Sequence, residues 1–315
     1  MNSDLLIQVE NLSRYYGSRA AVDDISFELR RGEVLGFLGP NGAGKSTTMQ
    51  VISGNLAPSE GRVVINGIDI LEQPRQAKAA LGFLPEQPPL YRELTVDEYL
   101  RYCAGLNRIP RSRISQAMES AREHCGLADV GARLIGNLSK GYQQRVGIAQ
   151  AIIHSPDVVI LDEPTVGLDP IQIREIRHLI RTLGEQHSVI LSTHILPEVQ
   201  ATCDRVQIIS QGRLVLSDTI EGLERRMQGS SLTAAFRQQV EPADLTDLPG
   251  VMEVEMLPDR RLQLHHVVDQ NPAEALVERS VAQGWGLYEL VPERMSLEDV
   301  FVDITCADRL QEGEP

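Results

Sequence analysis

Apolar positions in this chain cluster in short dense runs separated by polar turns, and the runs change character along the sequence. Near the start, LLIQVE (5–10) and AVDDISFEL (21–29) read as strands, and EVLGFLG (33–39) as a buried strand ending in glycine. A helix is expected from Lys45 to about Ser53, closed by Gly54. GRVVINGIDI (61–70) is a strand carrying an Asn66-Gly67 hairpin turn. From about Thr95 to Ala151 the period turns helical, and Thr95 with Glu98 three residues on forms a capping box. DVVILDEP (157–164) and SVILSTH (188–194) are unbroken apolar runs, as strands covered on both faces require, with a helix over 171–184 between them. That βαβ rhythm predicts a right-handed α/β arrangement, and VQIISQGRLVLSD (206–218) a final hairpin.

After about Arg226 the pattern shifts. LTAAF (232–236), GVMEVEML (250–257), RLQLHHVV (261–268) and GLYELV (286–291) read as strands, and PAEALVERSVAQG (272–284) as an amphipathic helix, which together suggest a small α+β unit. Leu297, Val300, Phe301 and Ile304 share one helical face behind a Ser296 N-cap. The expected organisation is one domain over 1–226, with a helical segment at about 92–152, and an accessory α+β domain over 227–315. A length of 315 residues accommodates both.

Charge narrows the partners. With 30 basic and 44 acidic residues the formal net charge is −14, which disfavours broad nucleic-acid binding and attraction to anionic lipid. No apolar run approaches the roughly 20 residues of a membrane-spanning helix. MNSDLLIQVE carries acids and no basic stretch, so it does not read as a signal peptide. Cys103, Cys125, Cys203 and Cys306 are scattered, the usage of reduced thiols in a cytosolic protein.

Two motifs carry chemistry. GPNGAGKST, comprising Gly39, Pro40, Asn41, Gly42, Ala43, Gly44, Lys45, Ser46 and Thr47, fits G-x-x-x-x-G-K-[ST] between a strand and a helix. Its glycines let backbone N–H groups turn inward around phosphate oxygens, and the helix dipole favours the same anion. Lys45 is expected on the β- and γ-phosphates of a nucleotide and the Ser46 hydroxyl on Mg2+. VVILDEP sets Asp162 and Glu163 at the C-terminal end of a buried strand, where open α/β sheets bind ligands. Asp162 is expected to serve the Mg2+, directly or through water, and Glu163 to polarise an attacking water.

With LPEQPPLY (84–91), LSKGYQQR (138–145), GLD (167–169) and STH (192–194) in order behind the phosphate loop, residues 5–225 resemble the ATP-binding subunits of ABC transporters. The resemblance implies a P-loop NTPase α/β fold: a RecA-like core, an antiparallel β subdomain and a helical subdomain. In that family LSGGQ binds the nucleotide of the opposite subunit. The matching residues here are Leu138, Ser139, Lys140, Gly141 and Tyr142, with Lys140 and Tyr142 departing from the usual glycine and glutamine. The resemblance also implies that His194 contacts the γ-phosphate and steadies Glu163, that Asp169 links two sites across an interface, and that Tyr16 stacks on adenine, with Tyr15 as alternative. Alignment places Glu86 at the usual metal-linked glutamine, with Gln87 as fallback, and the apolar residues beside it against a partner's cytoplasmic helix.

YQQRVGIAQAIIHSPDVVILDEPTVGLDPIQIREIR (142–177) and the ending SLEDVFVDIT (296–305) resemble exporter-type subunits, including those of gliding motility, nitrous-oxide reductase maturation and multidrug export. The implied activity is ATP hydrolysis with Mg2+ by a homodimer sandwiching two ATP molecules. The dimer would drive a separate transmembrane permease and sit peripherally on the cytoplasmic face of the inner membrane. A soluble relative acting on ribosomes would resemble two fused cassettes, and a chromosome or repair ATPase would carry a long heptad insertion; neither pattern is present.

Overall fold

A computed structural model describes residues 4–267 and 270–294. The chain divides into two compact units, one ending at Ile220 and the other beginning at Glu221.

The first unit holds two sheets. β1 (Leu5–Tyr16) and β2 (Arg19–Arg30) pair antiparallel, and β4 (Glu60–Ile65) and β5 (Ile68–Asp69) extend that sheet in the order β2-β1-β4-β5. The β4–β5 turn is Asn66-Gly67, both at positive φ, as a two-residue hairpin with right-handed twist requires. The second sheet combines β3 (Val34–Leu38), β6 (Leu81–Leu84), β7 (Val158–Asp162), β8 (Ser188–Thr193), β9 (Arg205–Ser210) and β10 (Arg213–Thr219) in the order β10-β9-β3-β8-β7-β6. Every pair in it is parallel except the β9–β10 hairpin. β3, β7 and β8 are buried at every residue, which explains their unbroken apolar runs.

Helices connect the parallel strands. α1 (Lys45–Ile52) follows β3, and α2 (Pro74–Ala79) precedes β6. α3 (Val96–Leu106), α4 (Arg111–His124) and α5 (Lys140–Ile152) form the helical stretch between β6 and β7. The Thr95–Glu98 capping box closes in both directions at the start of α3. α6 (Pro170–Gly184) and α7 (Leu196–Thr202) flank β8, and α8 (Ile220–Met227) runs past the last strand. The core between the sheets is aliphatic, with Phe27 and Phe37 as its aromatic pair. No helix among the described residues is long and apolar enough to cross a membrane.

The second unit is a sheet of β11 (Gln228–Phe236), β12 (Val251–Met256), β13 (Leu262–His266) and β14 (Leu287–Arg294) in the order β12-β13-β11-β14, all antiparallel, with α9 (Ala273–Gln283). Leu232, Leu245, Leu262, Leu264 and Leu276 make its core, and Trp285 meets Phe236 edge-on. The expected helical face of Leu297, Val300, Phe301 and Ile304, with Ser296, lies outside the described residues.

Candidate functional site

Parallel strands bring their C-terminal ends to one edge, and three neighbours in the sheet deliver the chemistry: β3 leads into the phosphate loop, β7 into Asp162 and Glu163, and β8 into His194. The loop over residues 39–44 wraps around its own lysine. Lys45 Nζ donates to the Gly39 carbonyl at 2.8 Å and the Pro40 carbonyl at 3.2 Å, and the side chain is 5% exposed. Gly44 sits at φ 108, and a Cβ there would lie 2.5 Å from the Ala21 carbonyl, so both conformation and space demand glycine. α1 begins at Lys45 with no side-chain cap on its first N–H groups, an arrangement that favours an anion.

Asp162 pairs in register with Ser192 of β8, whose hydroxyl donates to Oδ1 at 2.7 Å. The Ser46 hydroxyl also faces this carboxylate and favours its charged form. Burial pushes the Asp162 carboxyl above the usual carboxylate range; the two hydroxyls and Lys45 oppose this and nearby Glu86 adds to it.

Glu163 sits between a lysine and a histidine. Oε1 lies 3.3 Å from Lys45 Nζ, an ion-pair contact that supplies no hydrogen bond to that buried oxygen. Oε2 lies 2.9 Å from His194 Nδ1. An ionised carboxylate can only accept, so in this contact Nδ1 carries the proton. Glu163 is held at φ 49, a left-handed conformation costing a non-glycine residue about 1–3 kcal/mol, and its N–H is fixed on the Ser192 carbonyl at 2.8 Å. Glu163 is thus a strained, 5% exposed carboxylate with one oxygen short of a hydrogen-bond donor.

Lys45, Ser46, Glu163 and His194 open on a cavity of about 620 Å³, which Asp162 does not itself line. Tyr16, Asn41, Gly42, Gly44, Lys45, Ser46, Thr47, Glu86, Glu163 and His194 line it. Tyr16 is half-exposed under the Arg14 guanidinium, and Tyr15 is not among the lining residues. Glu86 lines both this cavity and a neighbouring hollow of about 540 Å³, whereas Gln87 lines the hollow alone. Arg19, Ala21 and Val166 also line the cavity; no spacing motif singles them out.

Four expected site residues lie elsewhere. Ser139 accepts weakly from the Tyr142 N–H at 3.4 Å as the N-cap of α5. Asp169 caps α6, its Oδ1 accepting from the Ile171 and Gln172 N–H groups at 2.9 Å. The Gln172 side chain packs on Gly141, where a Cβ would come within 2.8 Å of it. Lys140 turns its ammonium onto Gly167 of its own chain, 2.0 Å from where a Cβ would stand. The positive φ of +71 is what favours glycine at Gly167, since the lysine tip is flexible and could move aside.

Residues 22–166 match the family model described as ABC transporter. The chain is 30% identical over 308 residues to the linearmycin resistance ATP-binding protein LnrL of Bacillus subtilis, covering 95% of this chain and 98% of that protein. It is 36% identical to the bacitracin transport ATP-binding protein BcrA of Bacillus licheniformis, over 70% of this chain and 72% of that one. Among solved structures, cbiO1 from Clostridium perfringens, part of the ABC transporter complex cbiONQ, superposes with a TM-score of 0.65 at 30% identity, covering 70% of this chain and 90% of that one. A phosphate loop, a buried Asp-Glu pair and a histidine at one sheet edge, joined to these similarities, identify the chain as a member of the ABC transporter family, an export-type ATP-binding subunit with ATPase activity.

Proposed function

We propose that the chain works as a homodimer that closes on two Mg2+–ATP molecules and drives a separate membrane permease. The observation that carries this reading is Glu163, held between Lys45 and His194 at the mouth of the phosphate loop. Lys45 and the N–H groups of the loop and of α1 bind the phosphates. Glu163 accepts the proton of the attacking water. His194 keeps the Glu163 carboxylate aimed and meets the γ-phosphate. Tyr16 offers its exposed ring to the adenine.

The donor set suits magnesium. Mg2+ binds one or two carboxylates plus substrate phosphates, and the buried Asp162 carboxylate, with the Ser46 hydroxyl and Glu86 beside it, supplies oxygen ligands of that kind. Asp162, Ser46 and Glu86 would hold the ion, which would supply positive charge against the charge developing on the phosphates.

Ser139, Lys140, Gly141 and Asp169 lie outside the cavity of their own chain, which supports their serving the nucleotide of a second copy. There the N-terminus of α5 supplies N–H groups to the γ-phosphate. Closure then follows from differential binding, because only the paired state offers both sets of contacts. The permease would hold the dimer at the cytoplasmic face of the membrane. The acidic balance favours that partner over nucleic acid. The accessory domain, proposed from residue 227 on, would serve the transporter rather than the chemistry: LnrL matches across it, whereas cbiO1 covers only 70% of the chain. The relatives' names make antimicrobial compounds the first cargo class to assay.

The test is ATPase rate against protein concentration, with size-exclusion chromatography in ATP. Turnover that rises with the square of concentration at high dilution supports the shared site; full turnover by a strict monomer refutes it.

A further inference from the structure

We propose that Glu198 is a positioning residue for hydrolysis, its buried carboxylate fastening the loop that carries Glu163 to the loop that carries His194. The proposal rests on the reading of those two residues as the hydrolytic pair. Glu198 stands in the first turn of α7 and is 1% exposed. Its Oε1 accepts from the Thr165 hydroxyl at 2.5 Å, and its Oε2 from the Thr193 hydroxyl at 2.8 Å. Thr165 follows Glu163 by two residues, and Thr193 immediately precedes His194. The Thr193 hydroxyl also accepts from the Ile195 N–H at 3.2 Å. Both neighbours of His194 therefore hang on one carboxylate oxygen, and the Glu163 loop hangs on the other.

Burying a carboxylate is costly, and one kept at this depth persists only where partner groups hydrogen-bond it. The charge partner is modest: the Arg177 guanidinium on α6 is 3.9 Å from Oε1. Glu198 does not line the cavity, so it acts through the loops it joins. What the carboxylate supplies and an apolar group cannot is two acceptors facing two hydroxyls on different strands' ends. Their spacing fixes the Glu163–His194 contact at 2.9 Å.

The test uses Glu198→Gln, Thr193→Val and Thr193→Ser in the full-length protein, with steady-state ATPase kinetics and nucleotide affinity by fluorescence titration. Glutamine keeps the shape but leaves only one oxygen to accept, and valine removes one hydroxyl. Both are expected to lower kcat roughly tenfold, as small misplacements of catalytic groups do, with ATP affinity changed less than about twofold. The double variant should be no worse than either single, because both break the same link. Thr193→Ser restores the hydroxyl and should restore kcat. Should Glu198→Gln not fold, the valine and serine variants carry the test alone. Parent-like kcat in the valine variant, loss of affinity in parallel with kcat, or a serine variant as slow as valine each overturns the proposal. Full activity in Glu163→Gln would instead overturn the underlying assignment of the base.

Discussion

Replacing Glu163 with glutamine isolates one charge at the centre of the site. Glutamine keeps the length of the side chain, and its carbonyl oxygen can still accept from His194 Nδ1, now 2.9 Å from Oε2. What disappears is the proton acceptor and the negative charge 3.3 Å from Lys45 Nζ. Two consequences of opposite sign follow. In the nucleotide-free protein a buried ammonium loses its counter-charge. Breaking a buried pair outright costs about 3–5 kcal/mol, but Lys45 keeps its bonds to the Gly39 and Pro40 carbonyls. The remaining loss is about 2 kcal/mol, or roughly 4–8 °C in melting temperature for a domain of this size. With ATP present the phosphates replace the missing charge and the carboxylate no longer repels them. Binding at a hundredfold excess over Kd adds about 2.7 kcal/mol to stability, which more than offsets the deficit.

Catalysis moves the other way. Removing a positioned general base costs about 10²–10⁴ in rate. The variant should therefore bind ATP at least as tightly as the parent, barely turn it over, and accumulate as a dimer. Differential scanning fluorimetry with and without ATP, phosphate release and size-exclusion chromatography read all three. Turnover within about threefold of the parent, against that 10²–10⁴ expectation, would refute the base. A melting temperature unchanged without nucleotide would refute the Lys45 counter-charge.

Asp162→Asn tests the buried carboxylate. Because burial raises its folded pKa, Asp162 stabilises the fold most below the ordinary carboxylate range and less as pH rises through the raised value; the melting advantage of asparagine should grow from pH 4 to pH 8, and a constant difference would contradict the assignment. Removal of Mg2+ by EDTA should abolish turnover while leaving the nucleotide-free melting temperature unchanged, a pairing that separates a substrate-bound ion from a structural one. Burial pushes the thiols of Cys125 and Cys203 up to about 12, so at pH 8 only about one in 10⁴ is thiolate; disulfide reagents should label both on unfolding and neither in the native protein. Leu276→Ala in the fully buried core of the second unit should cost about 2–5 kcal/mol in that unit's unfolding transition, with ATPase retained.

The sequence is most legible where a rule of spacing is strict. Residues 39–47 admit few other readings because glycines, lysine and hydroxyls must fall in register around a phosphate. β7 and β8 announce themselves because both faces are covered, so VVIL of β7 and VIL of β8 run unbroken up to the polar residues at their C-terminal ends. β6 is four residues long and runs into Pro85, and α2 (PRQAKA) and α7 (LPEVQAT) are too short to show a helical period, so the pattern does not separate them from loop. Lys140 illustrates a different limit. Its identity is plain in the sequence, but whether its ammonium meets a phosphate or a neighbouring glycine depends on a loop that follows β7. Glu198 has no local signature at all: its partners stand 33 and 5 residues away, and only the fold brings them to one carboxylate.

Strand order explains why residue 163 is glutamate rather than a second aspartate. β3 and β7 are separated by β8, so at about 4.8 Å per strand the phosphate loop and the acid pair leave the sheet roughly 10 Å apart. In the proposed function phosphate sits between them, and the groups that act on it reach inward from both sides. Lys45 reaches from one side and Glu163 from the other until they meet at 3.3 Å, while His194 rises from the middle strand to touch Glu163 at 2.9 Å. Asp162, by contrast, needs no reach, since its partner Ser192 is its neighbour in register. Shortening Glu163 to aspartate withdraws the carboxylate by about one C–C bond, ~1.5 Å, which lengthens the ion-pair contact to Lys45 and carries the His194 contact out of hydrogen-bonding range. Glu163→Asp should thus keep its charge and still lose most of its rate, with nucleotide affinity intact. Parent-like turnover in that variant would mean that reach across the strand gap is not what selects the longer acid.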